Sequence, residues 1–253
     1  MKSQFSEFTY GFSVTNELLY YFRDNTSQAP IFPSLLEEGR DGGGYDMKIN
    51  YDGIPIFLQF KLSEFMYSKN AKELDLFNNP YYRFSLMPSK YSNQHKMLID
   101  LESSGEMVYY SAPKFHTIEE LNNYFSNNTI VDNSIFISPT EIGQLPDDDE
   151  HRIVFDVNTT SIYRCSTPKK IYTGVGYSLI DKVKTYKSKT INDKFLISLA
   201  KRMDGIIRDN MKGNEAILVY QGLKHKNIEV NENPIKYIEY LSTNFFGCIF
   251  TIL

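Results

Sequence analysis

An acid, an amide and an amine fall within one short stretch of this chain: Asp46, Gln59 and Lys61, in GGGYDMKINYDGIPIFLQFKLSE. Gln59 and Lys61 are two positions apart, so on a strand both project from the same face. Asp46 precedes Gln59 by thirteen positions, and Asp52-Gly53 between them is a two-residue hairpin signal. Such a turn folds the second strand back along the first and brings Asp46 beside Gln59 and Lys61. Breaking a phosphodiester needs these residue types. A divalent ion held by a carboxylate activates water and relieves charge on the phosphorus. Mg²⁺ keeps most of its waters and needs only one or two carboxylates. Asp46 is the expected principal ligand. Gln59 would lend a neutral carbonyl oxygen, and Lys61 would position the attacking water or stabilise developing negative charge.

Several elements must hold these groups. Ile54 to Glu64 reads as a strand, with Ile56, Leu58, Phe60 and Leu62 on one face and Phe57, Gln59, Lys61 and Ser63 on the other. Tyr45 to Tyr51 reads as its hairpin partner, preceded by the flexible run Gly39 to Gly44. Val14, Leu18, Leu19 and Phe22 predict a helix over Ser13 to Arg23, capped by Ser13 or Thr15. Residues 66–90 show no regular pattern. A helix is expected over Ser92 to Leu101 and a strand over Met107 to Ala112. Thr117 with Glu120 forms a capping box for a helix to Phe125. Ser134 to Ser138, Arg152 to Val157 and Ala216 to Tyr220 read as further strands. Asn192 to Met211 reads as an amphipathic helix, Ile235 to Leu241 as helical, and the tail FFGCIFTIL as a buried strand.

The order helix, three strands, helix, strand, carrying an Asp and then Gln-x-Lys, resembles the PD-(D/E)XK nuclease superfamily over about Ser13 to Pro113. The resemblance implies an α/β fold with a restriction-endonuclease-like core: helix, three-stranded antiparallel sheet, helix, strand. It further implies a Mg²⁺- or Mn²⁺-dependent endonuclease acting on DNA, in bacterial defence against foreign DNA. Asp46 and Lys61 match the family's motif directly. Gln59 departs from it, an amide standing where the acid usually is, as in the Gln-x-Lys branches, and this implies weaker metal binding. Tyr45 stands in place of the motif's Pro. The family's additional acid from the first helix falls on Glu17, with Glu38 as a rival. A polar residue of the second core helix falls on Gln94 or His95, and Ser63 continues the polar face toward a phosphate. A homodimer and a regulatory protein partner fit the same family. So does an inactive nuclease-fold module that binds DNA or protein within a larger complex.

Composition bounds these expectations. The 253 residues carry a net charge of −4, but Lys169 to Lys212 holds eleven Lys or Arg against four Asp. That stretch is +7 and leaves −11 on the remainder, a local footprint for a polyanion inside an acidic chain. The chain is expected to comprise a nuclease-like domain, residues 1–145, and a C-terminal α+β extension, residues 146–253, with a basic helical region continuous with the first. Two distant cysteines, Cys165 and Cys248, argue against a disulfide framework or structural zinc site. With no signal-peptide core and no membrane-length apolar run, the expectation is a cytoplasmic protein. No GxSxG elbow, P-loop or GxGxxG is present. The Asp147-to-His151 run reads as a solvated acidic loop, and the four histidines show no ligand spacing.

Overall fold

The computed structural model describes residues 1–22, 51–68, 73–77, 80–147, 149–158, 161–165, 169–171, 179–211 and 214–253. It is a mixed α/β fold. Among the described residues it has eight α-helices, a four-stranded sheet, a five-stranded sheet and a two-stranded ribbon.

Helix α1 (Glu7–Phe22) opens the chain and starts six residues earlier than the hydrophobic spacing predicts. Ser6 is the reason, because its Oγ accepts the Thr9 N–H at 3.0 Å and caps the first turn. Ser13 and Thr15, the expected caps, lie inside the helix and donate back to the carbonyls of Thr9 and Gly11 at 2.9 and 2.8 Å.

β1 (Tyr51–Gly53) and β2 (Pro55–Phe60) follow, separated by Ile54 alone. Asp52-Gly53 is therefore no hairpin turn. Asp52 sits within β1, opposite Thr190 of β10 (Lys189–Ile191). The chain runs on into β2 without reversing because Ile54 exchanges both backbone hydrogen bonds with Leu253, at 2.8 and 3.0 Å. That pairing extends the antiparallel contact of β2 with β11 (Ile249–Ile252). The buried C-terminal strand thus pairs with β2 antiparallel, as the hairpin reading expected of Tyr45 to Tyr51; of these, Tyr51 lies in β1 against Ile191, and residues 45–50 lie outside the described residues. The other edge of β2 pairs in parallel with β5 (Met107–Pro113), and β6 (Ser134–Ile137) completes the order β11-β2-β5-β6.

Both faces of β2 are buried. Ile56, Leu58 and Phe60 pack with Tyr10, Val14 and Leu18 of α1. Each such side chain contributes about 1.5–3 kcal/mol on burial. Gly11 allows this approach, since a Cβ there would stand 2.8 Å from the Phe60 ring. Phe57 faces the other way, into a larger core with Met97, Leu98 and Leu101 of α2 (Gln94–Ser103) and residues of α6 (Asp193–Asn210) and α8 (Pro234–Leu241). Helix layers on both faces make the Gln59 side of β2 an interior surface.

The five-stranded sheet is antiparallel, in the order β3 (Glu64–Met66), β4 (Tyr81–Leu86), β7 (His151–Asp156), β8 (Ile162–Cys165), β9 (Lys169–Ile171). β4 falls where the sequence shows no regular pattern. Its Tyr82 and Phe84 join the large core, whereas Tyr81 buries against Val154 and Cys165 on the opposite side. Strands from either side of position 146 share both larger sheets, through β4–β7 and β2–β11.

The remaining helices are α3 (Ile118–Ser126), α4 (Pro139–Ile142), α5 (Leu179–Thr185) and α7 (Asn214–His225). The Thr117–Glu120 capping box is present at α3, and Asn192 caps α6 through the Phe195 N–H. α7 replaces the strand expected over Ala216 to Tyr220. Local β-propensity is a weak preference that surrounding structure overrides. No helix of the described residues is long and apolar enough to cross a membrane.

Candidate active site

A polar side-chain contact and a half-buried lysine gather at the end of β2. Gln59, next to last in the strand and 3% exposed, donates through Nε2 to Oε1 of Gln94 in the first turn of α2. The β2–α2–β5 arrangement explains the meeting. In a parallel pair the connecting helix begins near the end of the first strand, and ligands of α/β sheets bind in this region. Gly247, just before β11, leaves room for the pair. A Cβ there would collide with the Gln94 amide and come within 3.2 Å of Gln59 Nε2, and its φ of +59° also suits glycine. Gln59 Oε1 is buried with no hydrogen-bond partner.

Lys61 lies one residue past β2, its N–H still bonded to the Ser111 carbonyl at 2.9 Å. Burial pushes its ammonium below the usual lysine range, and the carboxylate of Glu7 pulls it back up. Glu7 stands in the first turn of α1 with much of its surface open. Partial desolvation raises its carboxyl above the ordinary value, opposed by Lys61. Glu7 also borders a cavity of about 270 Å³ walled by Leu58, Phe60, Gly247 and Cys248. Gly247 therefore touches both this cavity and the Gln59–Gln94 pair.

The other expected site residues lie elsewhere or have other partners. Glu17 sits in mid-α1, roughly 15 Å along the axis from Glu7. Its Oε2 accepts the backbone N–H groups of Ile130 and Val131 at 2.6 and 3.3 Å. Burial raises its carboxyl despite these bonds. His95 is 6% exposed and has both nitrogens engaged, Nδ1 with the Tyr110 hydroxyl at 2.9 Å and Nε2 with the Gly143 carbonyl at 3.0 Å. The neutral tautomer that donates from Nε2 and accepts at Nδ1 satisfies both bonds. Burial is the main reason its pKa lies below the ordinary histidine value. Ser63, 1% exposed, lies in the link to β3, with its carbonyl bonded to Ser3 Oγ at 2.9 Å and its own Oγ unpartnered. Asp46 and Glu38 lie outside the described residues.

The structure therefore joins Gln59 to Gln94 by a hydrogen bond, leaves Lys61 and Glu7 within electrostatic influence of each other without an ion pair, and sets Glu17 and His95 apart from them. The sequence reading missed Glu7 because it began α1 too late. The signal was Ser6 three residues before Thr9 with an acid between, a helix start.

Among the described residues no group of three or more His, Cys, Asp or Glu could hold a metal ion. The donor set fits a hard cation in part. Gln59 offers a buried, unpartnered carbonyl oxygen, the neutral donor that Mg²⁺ accepts beside a carboxylate. No family model, curated protein or solved structure matches the chain.

Proposed function

We propose that this chain is a Mg²⁺- or Mn²⁺-dependent endonuclease of restriction-endonuclease-like fold that hydrolyses DNA, in bacterial defence against foreign DNA. The observation that supports the reading best is the junction of Gln59 with Gln94 at the end of β2, with Lys61 and Glu7 beside it. A polar residue of the second helix facing the Gln-x-Lys strand is what the resemblance implies.

In this reading Asp46, with Gln59 Oε1 and Glu7, would hold the ion. A bound divalent ion would supply Lewis-acid stabilisation of the phosphoryl oxygens and a water of lowered pKa. Gln94 fixes the Gln59 amide so that its oxygen is presented and its nitrogen is occupied. Lys61, whose pKa burial lowers and Glu7 partly raises again, would as a cation stabilise charge that builds on the phosphate as the bond breaks. Desolvation strengthens that interaction.

A plasmid incubated with Mg²⁺ or Mn²⁺ tests the proposal. Wild type should nick or linearise it, and Asp46→Ala and Lys61→Ala should each lower the rate by about 100-fold or more. Cutting retained in both variants would reject the site.

A second reading, a nuclease-fold module that binds DNA or a protein without cutting, draws support from one observation. The Gln59 amide nitrogen and the Glu17 carboxylate already have protein partners. Binding in chelator together with no cutting under any divalent ion would select it.

A further inference from the structure

We propose that one stripe of α6 is the seat of a DNA sugar–phosphate backbone, held in a shallow groove bordered by Lys194, Ser198, Lys201, Arg202 and Asn231. The inference deepens the nuclease reading and rests on it for the identity of the polyanion. The groove encloses about 800 Å³, and Asn231 comes to it from the connection before α8.

Helix periodicity builds the stripe. Positions 194, 198, 201 and 202 follow the i, i+4, i+7, i+8 pattern of one face. Leu196, Leu199, Ala200, Met203 and Ile207 take the opposite, buried face. Two helical turns separate Lys194 from Lys201, roughly 10.5 Å along the axis, about the rise of three nucleotides of one strand.

The groove's own lining carries three cations, Lys194, Lys201 and Arg202, and no acid. Glu106 is buried and shared by two cations, Lys189 at 2.9 Å and Arg202 at 2.6 Å. That pairing fixes the Arg202 guanidinium, whose Nε is buried and without a partner. Lys189 also lies over the rings of Tyr186 and Phe195, which commits it to the fold. Asp204, three residues beyond Lys201, is bonded to Tyr237 at 3.0 Å and paired with Arg208 at 3.5 Å. Asp193, Glu229 and Glu232 are the exposed acids nearest in sequence to the groove residues. Lys194 and Lys201 are exposed and have no carboxylate within ion-pair distance among the described residues. Ordinary solvated helix faces interleave charges at i, i+4, whereas this stripe presents Lys194, Ile197, Ser198, Lys201 and Arg202, with no acid among them.

The placement also suits the candidate active site. Asn93, at the start of α2, donates to the carbonyl of Asn210 at the end of α6, at 2.6 Å. Lys201 lies nine residues before Asn210, roughly 13 Å along the axis, about four base steps of a duplex. Along the helix axis, the end of α6 that meets α2 thus lies within a few base steps of Lys201.

The test is a fluorescence-anisotropy titration of a labelled duplex in EDTA, from 0.05 to 0.3 M salt, with folding checked by circular dichroism. Lys194→Ala/Lys201→Ala should bind about tenfold or more weakly at 0.1 M salt, and the slope of log K against log salt should shrink by roughly 1.8. Lys184→Ala/Lys187→Ala, which removes equal charge outside the groove, should change both far less. Equal loss in the two pairs, unchanged binding in the first pair, or no wild-type binding at low salt would overturn the groove. Displacement of the duplex by poly-glutamate at equal charge would also overturn it, in favour of an acidic protein partner. Because no divalent ion is present, binding that fails in the groove variant of a chain unable to cut upholds the groove while rejecting the nuclease reading.

Discussion

Gln59 and Gln94 meet amide to amide although 35 residues separate them, and the contact leaves Gln59 Oε1 buried and unanswered. Replacing that amide with a carboxylate tests what the oxygen is for. Gln59→Glu keeps the shape but buries a charge. In chelator it should lower stability by about 1–3 kcal/mol, since a buried acceptor without a donor bears its full desolvation penalty. Added Mg²⁺ should restore the melting temperature, because a carboxylate at this position would bind the cation more tightly than the amide. A melting temperature that ignores Mg²⁺ removes Gln59 from any metal site.

His95 should behave as a core residue. His95→Ala strands the Tyr110 hydroxyl and the Gly143 carbonyl and opens a cavity, and should cost about 2–4 kcal/mol. The pH dependence follows from the direction of its shift. Its folded pKa lies below the ordinary 6.5, so the unfolded chain takes up the proton first as pH falls. Its contribution is therefore complete above about 6.5 and is lost as pH drops through the folded value. Denaturant melts at pH 7 and pH 5 should show the gap between wild type and His95→Ala narrowing at the lower pH. A constant gap contradicts a neutral, buried His95.

Much of this was legible along the chain because local rules determine it. The Thr117–Glu120 capping box, α6, α2, β5 and the C-terminal strand follow from residues close in sequence, and structure and pattern coincide there. The hairpin was not legible. Asp52-Gly53 carries the turn signal, but Ile54 is paired with Leu253, almost two hundred residues away, and no local pattern encodes that competition. The Gln59–Lys61 face shows the same limit. Alternation correctly separates Phe57 and Gln59 from Ile56 and Leu58, yet it cannot say that helices cover both faces. Glu7 was hidden by a misplaced helix start. Asp46 lies outside the described residues, so its part in the site remains a proposal.

Glu17 discriminates between a structural and a metal-binding acid. Glu17→Ala deprives the Ile130 and Val131 amides of their acceptor and should destabilise the fold by about 2–3 kcal/mol. Glu17→Gln retains an amide oxygen for them and should lose about 1 kcal/mol or less, with plasmid cutting preserved. A folded Glu17→Gln protein that no longer cuts would instead make Glu17 a ligand.

Glu106 should affect stability and binding in opposite directions. Glu106→Gln removes the shared counter-charge of Lys189 and Arg202. Both cations are partly exposed, which screens the loss to about 1–3 kcal/mol. The freed positive charge beside the α6 stripe should tighten duplex binding at low salt and steepen its salt dependence. Weaker binding by a folded variant would mean that the orientation Glu106 gives Arg202 matters more than the charge it neutralises.

The Glu7–Lys61 pair makes a directional prediction about the reaction. Burial depresses the Lys61 pKa, and Glu7 is the influence opposing it. Glu7→Gln removes that opposition, so Lys61 should lose its proton at a lower pH than in wild type. If Lys61 acts as a cation on the phosphate, activity needs the protonated amine. The alkaline limb of kcat/KM against pH, which reports the free enzyme, should then move to lower pH. Glu7 is exposed, so the substitution should leave the fold near wild type, which a thermal melt of the variant checks. Were the neutral amine the active form, as for a base taking a proton from water, the same substitution would raise the rate on the acid side. An unmoved profile would separate Lys61 from the chemistry altogether, whatever happens to the rate in Lys61→Ala.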